Sequence, residues 1–309
     1  MTDRGTVLVT GGAGFIGSHL CERLLARGRR IAVLDDLNDY YDPALKRANL
    51  RRLKGVSFHR GDIRDPRAVA RAMRGVQSVV HLAARAGVRP SVADPALYAS
   101  VNVEGTAVLL EAARKAGVGN FLFGSSSSVY GRSARAPFRE DDPAADPVSP
   151  YAATKRAGEL LCAAHHALHG IPILALRFFT VYGPRQRPDM AIAKFTRAVS
   201  EGREIPFFGN GRSRRDYTHV SDIVSALEKA LRWKAGFEIV NLGGARTVTL
   251  RQLVAMISRA VGKPARLKPM PEQEGDVPLT SADVRKARRL LGWTPRMTLE
   301  RGLAEYART

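Results

Sequence analysis

An apolar run followed by a glycine-rich turn opens the chain: residues 6–17 read TVLVTGGAGFIG. The run is short and rich in β-branched residues, which predicts a buried strand at Thr6–Thr10. Gly11, Gly14 and Gly17 follow at the spacing of a dinucleotide-binding turn that enters a helix. In such a turn the glycines allow the sharp bend, the close approach of a pyrophosphate and the packing of the helix on the strand. The turn therefore predicts a bound dinucleotide.

Acidic residues after the next two strands refine that prediction. Asp35 ends the second predicted strand, 18 residues after Gly17. A carboxylate there hydrogen-bonds the adenosine ribose and repels a 2′-phosphate, so NAD is favoured over NADP. Asp62 follows the third strand, where it could hold the adenine edge or equally cap the next helix.

Strand-like and helix-like stretches alternate through the first two thirds of the chain. This alternation predicts an α/β fold with a doubly wound parallel (Rossmann) sheet of about seven strands. The strands are expected at residues 6–10, 31–34, 56–58, 76–82, 121–123, 173–176 and 238–242.

The alternation breaks up after Pro184, where Gly- and Pro-rich loops appear. We therefore expect a smaller mixed C-terminal substrate domain, with helices at 250–261 and 282–291. The predicted NAD-binding Rossmann domain spans residues 1–180 plus about 215–245, and the substrate domain spans about 181–214 and 246–309.

Composition limits the class of protein. Apolar residues make up 45% of the 309 residues and charged residues 25%, as in ordinary globular proteins. The net charge of +20 is spread along the chain without a nucleic-acid-binding motif, so no nucleic acid is expected. No membrane association is expected, because no apolar run of about 18 residues occurs. Cys21 and Cys162 lie in apolar-periodic stretches, which predicts core thiols and a cytoplasmic location.

A second reactive set follows the fifth strand. Ser126 lies at that strand's end, and Tyr151 and Lys155 are four residues apart, so they share one face of a helix. A lysine ammonium one turn away lowers the pKa of a tyrosine, which could then take a hydroxyl proton while hydride leaves the same carbon. The pair alone could equally be a solvated helix face. Its order after the dinucleotide turn favours an active site, because ligands of open α/β sheets sit at the strands' carboxyl ends.

Six longer segments are distinctive of one family. They read DLNDYYD at 36–42, HLAARAGVR at 81–89, SSSSVY at 125–130, RFFTVYGP at 177–184, RPDM at 187–190 and GDVP at 275–278. With these segments the chain resembles the extended short-chain dehydrogenase/reductase family along nearly its whole length. Within that family it is similar to the nucleotide-sugar 4-epimerases, and most of all to those that act on UDP-glucuronate.

The resemblance implies NAD as cofactor, a UDP-sugar as substrate and transient oxidation at C4. It implies NAD contacts at Gly11, Gly14, Phe15, Ile16, Gly17, Asp35, Asp62, Ile63, Leu82, Ala83, Ala84, Tyr151 and Lys155. The catalytic residues that it implies are Ser126, Tyr151 and Lys155. It also implies UDP contacts from Arg215 and Asp276, although Arg215 could equally form a surface ion pair with Asp216. Helices at 102–116 and 151–166 resemble those that pair in family homodimers, but one chain could also cover them.

Thr180 is the sharpest clue to an acidic sugar, because related UDP-glucose epimerases usually carry Asn there. Oxidation at C4 of a glucuronate gives a β-keto acid, which loses CO₂ unless the carboxylate is held out of line with the new carbonyl. Hydroxyl donors could hold it, and we expect Ser127, Ser128 and Thr180 in this role, with Arg187 as an added cation. Thr180 could also simply end the sixth strand. The expected reaction is interconversion of UDP-glucuronate and UDP-galacturonate.

Three other functions fit parts of the pattern. A UDP-glucose 4-epimerase would use the same residues on a neutral sugar. A UDP-glucuronate decarboxylase would share cofactor and substrate, but residues 125–130 lack the acid expected beside its serine. A non-catalytic dinucleotide sensor would keep the fold, yet Tyr151 and Lys155 are intact. His165, His166 and His169 have metal-ligand spacing without an acidic or thiol partner, so no metal is expected.

Overall fold

The computed structural model describes residues 5–132, 135–272 and 277–308. Its strands are β1 Thr6–Thr10, β2 Ile31–Asp35, β3 Ser57–Arg60, β4 Val76–His81, β5 Asn120–Ser126, β6 Ile173–Phe178, β7 Thr180–Tyr182, β8 Glu204–Phe208, β9 Arg214–His219, β10 Phe237–Leu242, β11 Thr247–Thr249 and β12 Arg266–Met270. Its helices are α1 Phe15–Ala26, α2 Pro43–Arg52, α3 Pro66–Ala72, α4 Val88–Ala93, α5 Pro95–Ala99, α6 Gly105–Lys115, α7 Pro150–His169, α8 Ala191–Ser200, α9 Val220–Ala230, α10 Leu250–Val261, α11 Arg285–Leu291 and α12 Leu299–Tyr306.

A parallel seven-stranded sheet forms the centre of the fold. Its strand order is β10-β6-β5-β4-β1-β2-β3, and each neighbouring pair is parallel. The chain starts at β1, winds outward to β3 and then returns to β4 on the other side of β1. This confirms the predicted doubly wound sheet. The reversal between β1 and β4 opens a crevice at the strands' carboxyl ends, where such sheets bind ligands.

Helices cover both faces of the sheet, as its apolar strands require. One face packs α1, α9 and α11 through side chains such as Leu20, Leu227 and Ala287. The other face packs α3, α6 and α7. Cys21 and Cys162 are free and buried in these two layers, which confirms them as core thiols.

A smaller mixed unit stands beside the main sheet. Strand β7 pairs in parallel with β9, which pairs antiparallel with β11, while β8 pairs in parallel with β12. Helices α8, α10 and α12 pack there around a separate core that includes Phe195, Ile205, Leu253 and Leu303. The predicted smaller unit is confirmed, and among the described residues no helix is long and apolar enough to cross a membrane.

The helix predicted at 282–291 is wrong at its first turn, because α11 begins at Arg285. The N–H of Ala282 donates to the Asp216 carboxylate at 3.0 Å, and that of Asp283 donates to the Phe138 carbonyl at 3.0 Å. These long-range bonds hold the segment in a bridge with Phe138. The helix starts only after Asp283 has accepted the N–H of Arg285.

A buried ion pair ties α7 to β6 next to the crevice. Arg177 and Glu159 are joined by two hydrogen bonds of 2.8 Å, and their side chains are 1% and 0% exposed. The Glu159 carboxylate also accepts the Ser125 hydroxyl at 2.6 Å, at the carboxyl end of β5. The pair therefore fixes the helix and the strand that carry the predicted catalytic residues.

We expect Arg177→Met to lower the free energy of unfolding by about 3–5 kcal/mol, because Glu159 keeps a buried charge without its main partner. Urea denaturation measures the change. The double variant Arg177→Met/Glu159→Met should recover much of the loss, because it buries no charge. A single variant as stable as the unchanged protein would show that the pair contributes nothing.

Candidate active site

One cavity lies at the carboxyl ends of the main strands, and it brings together residues far apart in the sequence. Every residue predicted to contact the cofactor lines it. Ser126, Ser127, Ser128, Thr180 and Arg187 line the same cavity. The predicted dinucleotide, catalytic and carboxylate-binding groups thus share one space.

The glycine turn forms one wall of the cavity. Gly11 has a φ of +69°, which favours glycine, and a side chain at Gly17 would place its Cβ 2.3 Å from the Gly11 carbonyl oxygen. The backbone of α1 therefore packs against the turn with no room for a side chain. Gly14 precedes α1, and no side chain caps its first N–H groups. Uncapped helical N–H groups at a glycine turn fit the pyrophosphate of a dinucleotide.

Asp35 is held rigidly at the end of β2. Its carboxylate accepts the N–H groups of Ala13 at 3.0 Å and Leu37 at 2.9 Å. Burial raises the pKa of Asp35, and these bonds together with the positive charge of Lys46 oppose the rise. A fixed acid beside the glycine turn fits a ribose with free hydroxyls.

Asp62 lines the cavity and does not cap a helix. Arg64 donates to it from Nη2 at 2.6 Å and from its backbone N–H at 2.8 Å, and the Arg64 side chain lowers its pKa. Asp65 caps α3 instead, so the capping interpretation of Asp62 was wrong.

Local sequence explains where the catalytic candidates lie. Ser149 caps α7 by accepting the Ala152 N–H at 3.1 Å, and Pro150 occupies the first helical position, which puts Tyr151 in the first turn. On the facing strand, Ser126 ends β5, and its hydroxyl accepts the Ser128 N–H at 3.2 Å. Across this gap, the Ser126 hydroxyl acts to lower the pKa of Tyr151.

Lys155 is buried one turn after Tyr151. Its Nζ donates to the Gly124 carbonyl at 2.7 Å, at the end of β5. Burial lowers the pKa of Lys155 to about 8. The Lys155 ammonium therefore loses its proton at a lower pH than that of an ordinary lysine.

The charge on Tyr151 is influenced by a cation that sequence reasoning did not name for this role. Burial raises the pKa of Tyr151, while the Ser126 hydroxyl and the positive charge of Arg187 oppose the rise. Lys155 is the cation expected from sequence, and its ammonium donates to the Gly124 carbonyl. Because a nearby cation favours the phenolate, Arg187 adds to the effect expected of Lys155.

Arg187 combines charge with a fixed position. Its Nε and Nη2 donate to the Asp189 carboxylate at 2.9 and 3.0 Å, and its guanidinium carbon lies 5.4 Å from the centre of the Tyr40 ring. Such a bidentate pair fixes the plane of the guanidinium. Arg187 therefore presents an oriented positive charge to the cavity.

One of the two residues expected to contact UDP is described by the structure, and it does not line the cavity. Arg215 is on β9 and does not line the cavity, and its Nη1 donates to the Arg214 carbonyl at 2.8 Å. Asp276 falls outside the described residues. Asp216 is fully buried and accepts the backbone N–H groups of Gly244 and Ala282, and burial raises its pKa to about 6.

Sequence reasoning missed several residues of the site. Tyr40 and Arg85 line the cavity and stand in segments 36–42 and 81–89, so that signal was present. Asn102 had no local signal. Its side-chain oxygen accepts the Arg85 N–H at 2.8 Å, and its amide donates to the Arg85 carbonyl and the Thr154 hydroxyl, each at 3.0 Å. Asn102 thereby joins a cavity loop to the helix that carries Tyr151 and Lys155.

Within the described parts of the chain, no cluster of three or more His, Cys, Asp or Glu side chains is arranged to hold a metal ion. His165 and His169 stack edge to face at 4.7 Å on α7.

Comparison with known proteins agrees with this geometry. The UDP-glucuronate 4-epimerase of Thermodesulfobacterium geofontis is 40% identical over 305 residues, which cover 97% of this chain and 94% of that protein. The solved UDP-glucuronic acid 4-epimerase from Bacillus cereus, in complex with UDP-glucuronic acid and NAD, is 35% identical with a TM-score of 0.92 and 98% of both chains covered. The Thermus thermophilus UDP-glucose 4-epimerase, in complex with NAD, is 36% identical with a TM-score of 0.90 and 98% of both chains covered.

A model of the NAD dependent epimerase/dehydratase family matches residues 7–243, from the first strand of the main sheet to just after its last. The glycine turn, Asp35 and the Ser126, Tyr151 and Lys155 set all lie within that match. This chain therefore belongs to the NAD dependent epimerase/dehydratase family.

Proposed function

We propose that this chain interconverts UDP-glucuronate and UDP-galacturonate through a transient 4-keto sugar. Relatives that act on acidic and on neutral sugars are almost equally similar overall, so residues inside the cavity must decide between them. The observation that carries the proposal is that Ser127, Ser128 and Thr180 line the same cavity as Tyr151 and Arg187. We infer that these three hydroxyls and the Arg187 guanidinium bind a substrate group that accepts hydrogen bonds and carries negative charge, as a carboxylate does.

The proton chemistry at C4 is assigned to Tyr151. As a phenolate it accepts the proton of the C4 hydroxyl, and it returns that proton when the hydroxyl forms again on the other face. We assign Ser126, whose hydroxyl acts to lower the pKa of Tyr151, to holding the reacting oxygen. When bound, NAD supplies the hydride acceptor and donor for C4. Among the cavity residues, we assign Gly11, Gly14, Asp35 and the other predicted contacts to holding it.

The carboxylate must be held still while C4 is a ketone. Loss of CO₂ needs the scissile bond aligned with the carbonyl π system, and donors fixed on strands and turns can prevent that alignment. Thr180 lies on β7 and pairs in register with Tyr217 of β9, so its backbone is fixed. We assign the carboxylate grip to Ser127, Ser128 and Thr180, with Arg187 as the nearby cation.

We expect Thr180→Val to lower kcat/KM for UDP-glucuronate by about 10- to 100-fold and to release CO₂. The substitution keeps the shape of the side chain but removes a hydrogen bond to a charged group, which contributes about 1.5–3 kcal/mol. Measuring CO₂ together with both uronates by NMR tests this. Thr196→Val, at a buried threonine on α8 outside the cavity, is the matched control. If kcat/KM is unchanged and no CO₂ is released, Thr180 does not hold the carboxylate.

The substrate itself is tested by incubating the purified protein with UDP-glucuronate or UDP-glucose and following the anomeric protons by NMR. We expect UDP-galacturonate to appear, with a lower kcat/KM for UDP-glucose. Rapid turnover of UDP-glucose with no galacturonate would favour the neutral-sugar epimerase. Release of CO₂ with a UDP-pentose product would favour the decarboxylase.

The division of labour along the chain is also proposed. Residues 1–180 with about 215–245 would bind NAD, and about 181–214 with 246–309 would bind the nucleotide sugar. The separate core around Phe195 and Leu253 supports a second unit. We assign contacts with UDP to Arg215 and Asp276.

A homodimer through α6 and α7 is part of the same proposal. Leu160 and Leu168 on α7 are 55% and 75% exposed, although both are large and apolar. Exposed apolar side chains that share a helix face are typical of an interface. Sedimentation equilibrium should give twice the chain mass, and a monomer would contradict the proposal.

A further inference from the structure

The loop that carries Arg187 is fastened to the first helix. We propose that Glu22, His19 and Arg185, here called the α1 strap, position Arg187 in the cavity and so set the preference for an acidic over a neutral sugar. The proposal rests on the proposed function. It makes Glu22, His19 and Arg185 positioning residues, because they act on substrate through Arg187.

The strap consists of hydrogen bonds between parts of the chain that are far apart in sequence. Arg185 donates to Glu22 from Nη1 at 2.8 Å and from Nη2 at 2.6 Å, which makes a bidentate ion pair. The same Nη2 lies 2.8 Å from His19 Nδ1, and His19 Nε2 lies 2.9 Å from the Pro184 carbonyl oxygen. Both the backbone and the side chain of the loop are therefore tied to α1.

These contacts define the state of His19. A guanidinium only donates, so His19 Nδ1 accepts, and a carbonyl only accepts, so Nε2 carries the proton. The ring is therefore neutral. Burial lowers the pKa of His19, the Pro184 carbonyl opposes this, and the Arg185 charge lowers the pKa further. The strap is complete only with this tautomer.

The loop adopts a conformation that needs support. Arg185 has a φ of +63°, in the left-handed region that is uncommon for residues other than glycine. The turn is closed by the Gln186 N–H, which donates to the Gly183 carbonyl at 3.2 Å. Such backbone persists where the surrounding contacts hold it in place. The ion pair with Glu22 is the contact that does so here.

The anchor of the strap belongs to the cofactor side of the cavity. His19 packs its ring edge to face on Phe15 at 5.9 Å, and Phe15 lines the cavity. Helix α1 follows the glycine turn directly. The strap therefore connects the loop that carries Arg187 to the helix that follows the glycine turn and lines the cavity.

Arg187 follows Arg185 by two residues, so a shift of the strap moves the guanidinium. The positive charge of that guanidinium acts to lower the pKa of Tyr151, and it attracts a carboxylate bound in the cavity. A neutral sugar offers no charge to it. Loss of the strap should therefore weaken catalysis on the acidic sugar more than on the neutral one.

The test compares Glu22→Ala and Arg185→Asn with Glu228→Ala. Asparagine tolerates the left-handed conformation, so Arg185→Asn removes the strap without new backbone strain. Glu228 forms a similar ion pair with Arg23 of α1 but ties that helix to α9, so it is the matched control. For each protein, kcat and KM are measured on UDP-glucuronate and UDP-glucose, with bound NAD and the thermal midpoint.

We expect both strap variants to lower the ratio of kcat/KM for UDP-glucuronate over UDP-glucose by about tenfold, mainly through KM. Glu228→Ala should leave the ratio unchanged. A purely structural strap would lower the thermal midpoint and both activities together. If the protein without substitutions is active on UDP-glucuronate and Glu22→Ala has the same kcat/KM ratio, the strap proposal is overturned and the proposed function stands. If the protein without substitutions is inactive on UDP-glucuronate, both the proposed function and the strap proposal are overturned.

Discussion

Tyr151→Phe is expected to lower turnover of UDP-glucuronate by about 10³-fold while leaving NAD bound. The Ser126 hydroxyl and the Arg187 charge both act to lower the pKa of this phenol, against the effect of burial. Phenylalanine keeps the ring and its packing against Tyr98, where the ring centres are 6.3 Å apart, but it has no proton to exchange. The loss should therefore fall on kcat.

Turnover by NMR and NAD content by absorbance of the denatured supernatant measure the two effects separately. Tyr182→Phe removes a hydroxyl from another buried tyrosine, outside the cavity, and should stay near the unchanged rate. Near-normal activity of Tyr151→Phe would refute the role assigned to this residue.

Lys155→Met is expected to lower turnover by about 10²-fold and to weaken NAD retention. An ammonium has three donors, and one of them goes to the Gly124 carbonyl, which leaves donors for a bound ligand. Burial lowers the pKa of Lys155 to about 8, so the ammonium is present below that pH and is lost as the pH rises through it. We therefore expect kcat/KM of the unchanged protein to fall above about pH 8.

The pH profile and a double variant test whether Lys155 acts in this way. Lys155→Met should lack the alkaline fall, because it has no proton to lose there. If Tyr151 and Lys155 act as a unit, the double variant should be little slower than Tyr151→Phe alone. An alkaline fall that persists in Lys155→Met would assign it to another group.

Most of the main sheet could be predicted because its central strands are buried on both faces. Such strands, β1 and β6 among them, read as continuous apolar runs. The strands of the smaller unit gave no such signal. Strand β12 reads RLKPM and is mostly exposed, and β9 reads RRDYTH. Their pairing depends on contacts that a local pattern does not contain.

The residues of the site also divide into those in local motifs and those placed by distant partners. The glycine turn and the Tyr151 and Lys155 pair are local motifs, so their spacing alone predicts that they share a cavity. The placement of Arg187 and Asn102 depends on distant partners, Arg185 with Glu22 in one case and Arg85 with Thr154 in the other. The spacing of Tyr151 and Lys155 also could not show that the Lys155 ammonium donates to the Gly124 carbonyl, because the fold brings that strand to the helix.

The account depends most on one claim, namely that C4 is oxidised and reduced again while the C6 carboxylate stays attached. UDP-glucuronate carrying deuterium at C4 tests it directly, with the products followed by NMR and mass spectrometry. We expect UDP-galacturonate that keeps the deuterium at C4 and contains no solvent hydrogen there. Galacturonate without the label, or a labelled product that has lost CO₂, would contradict the account.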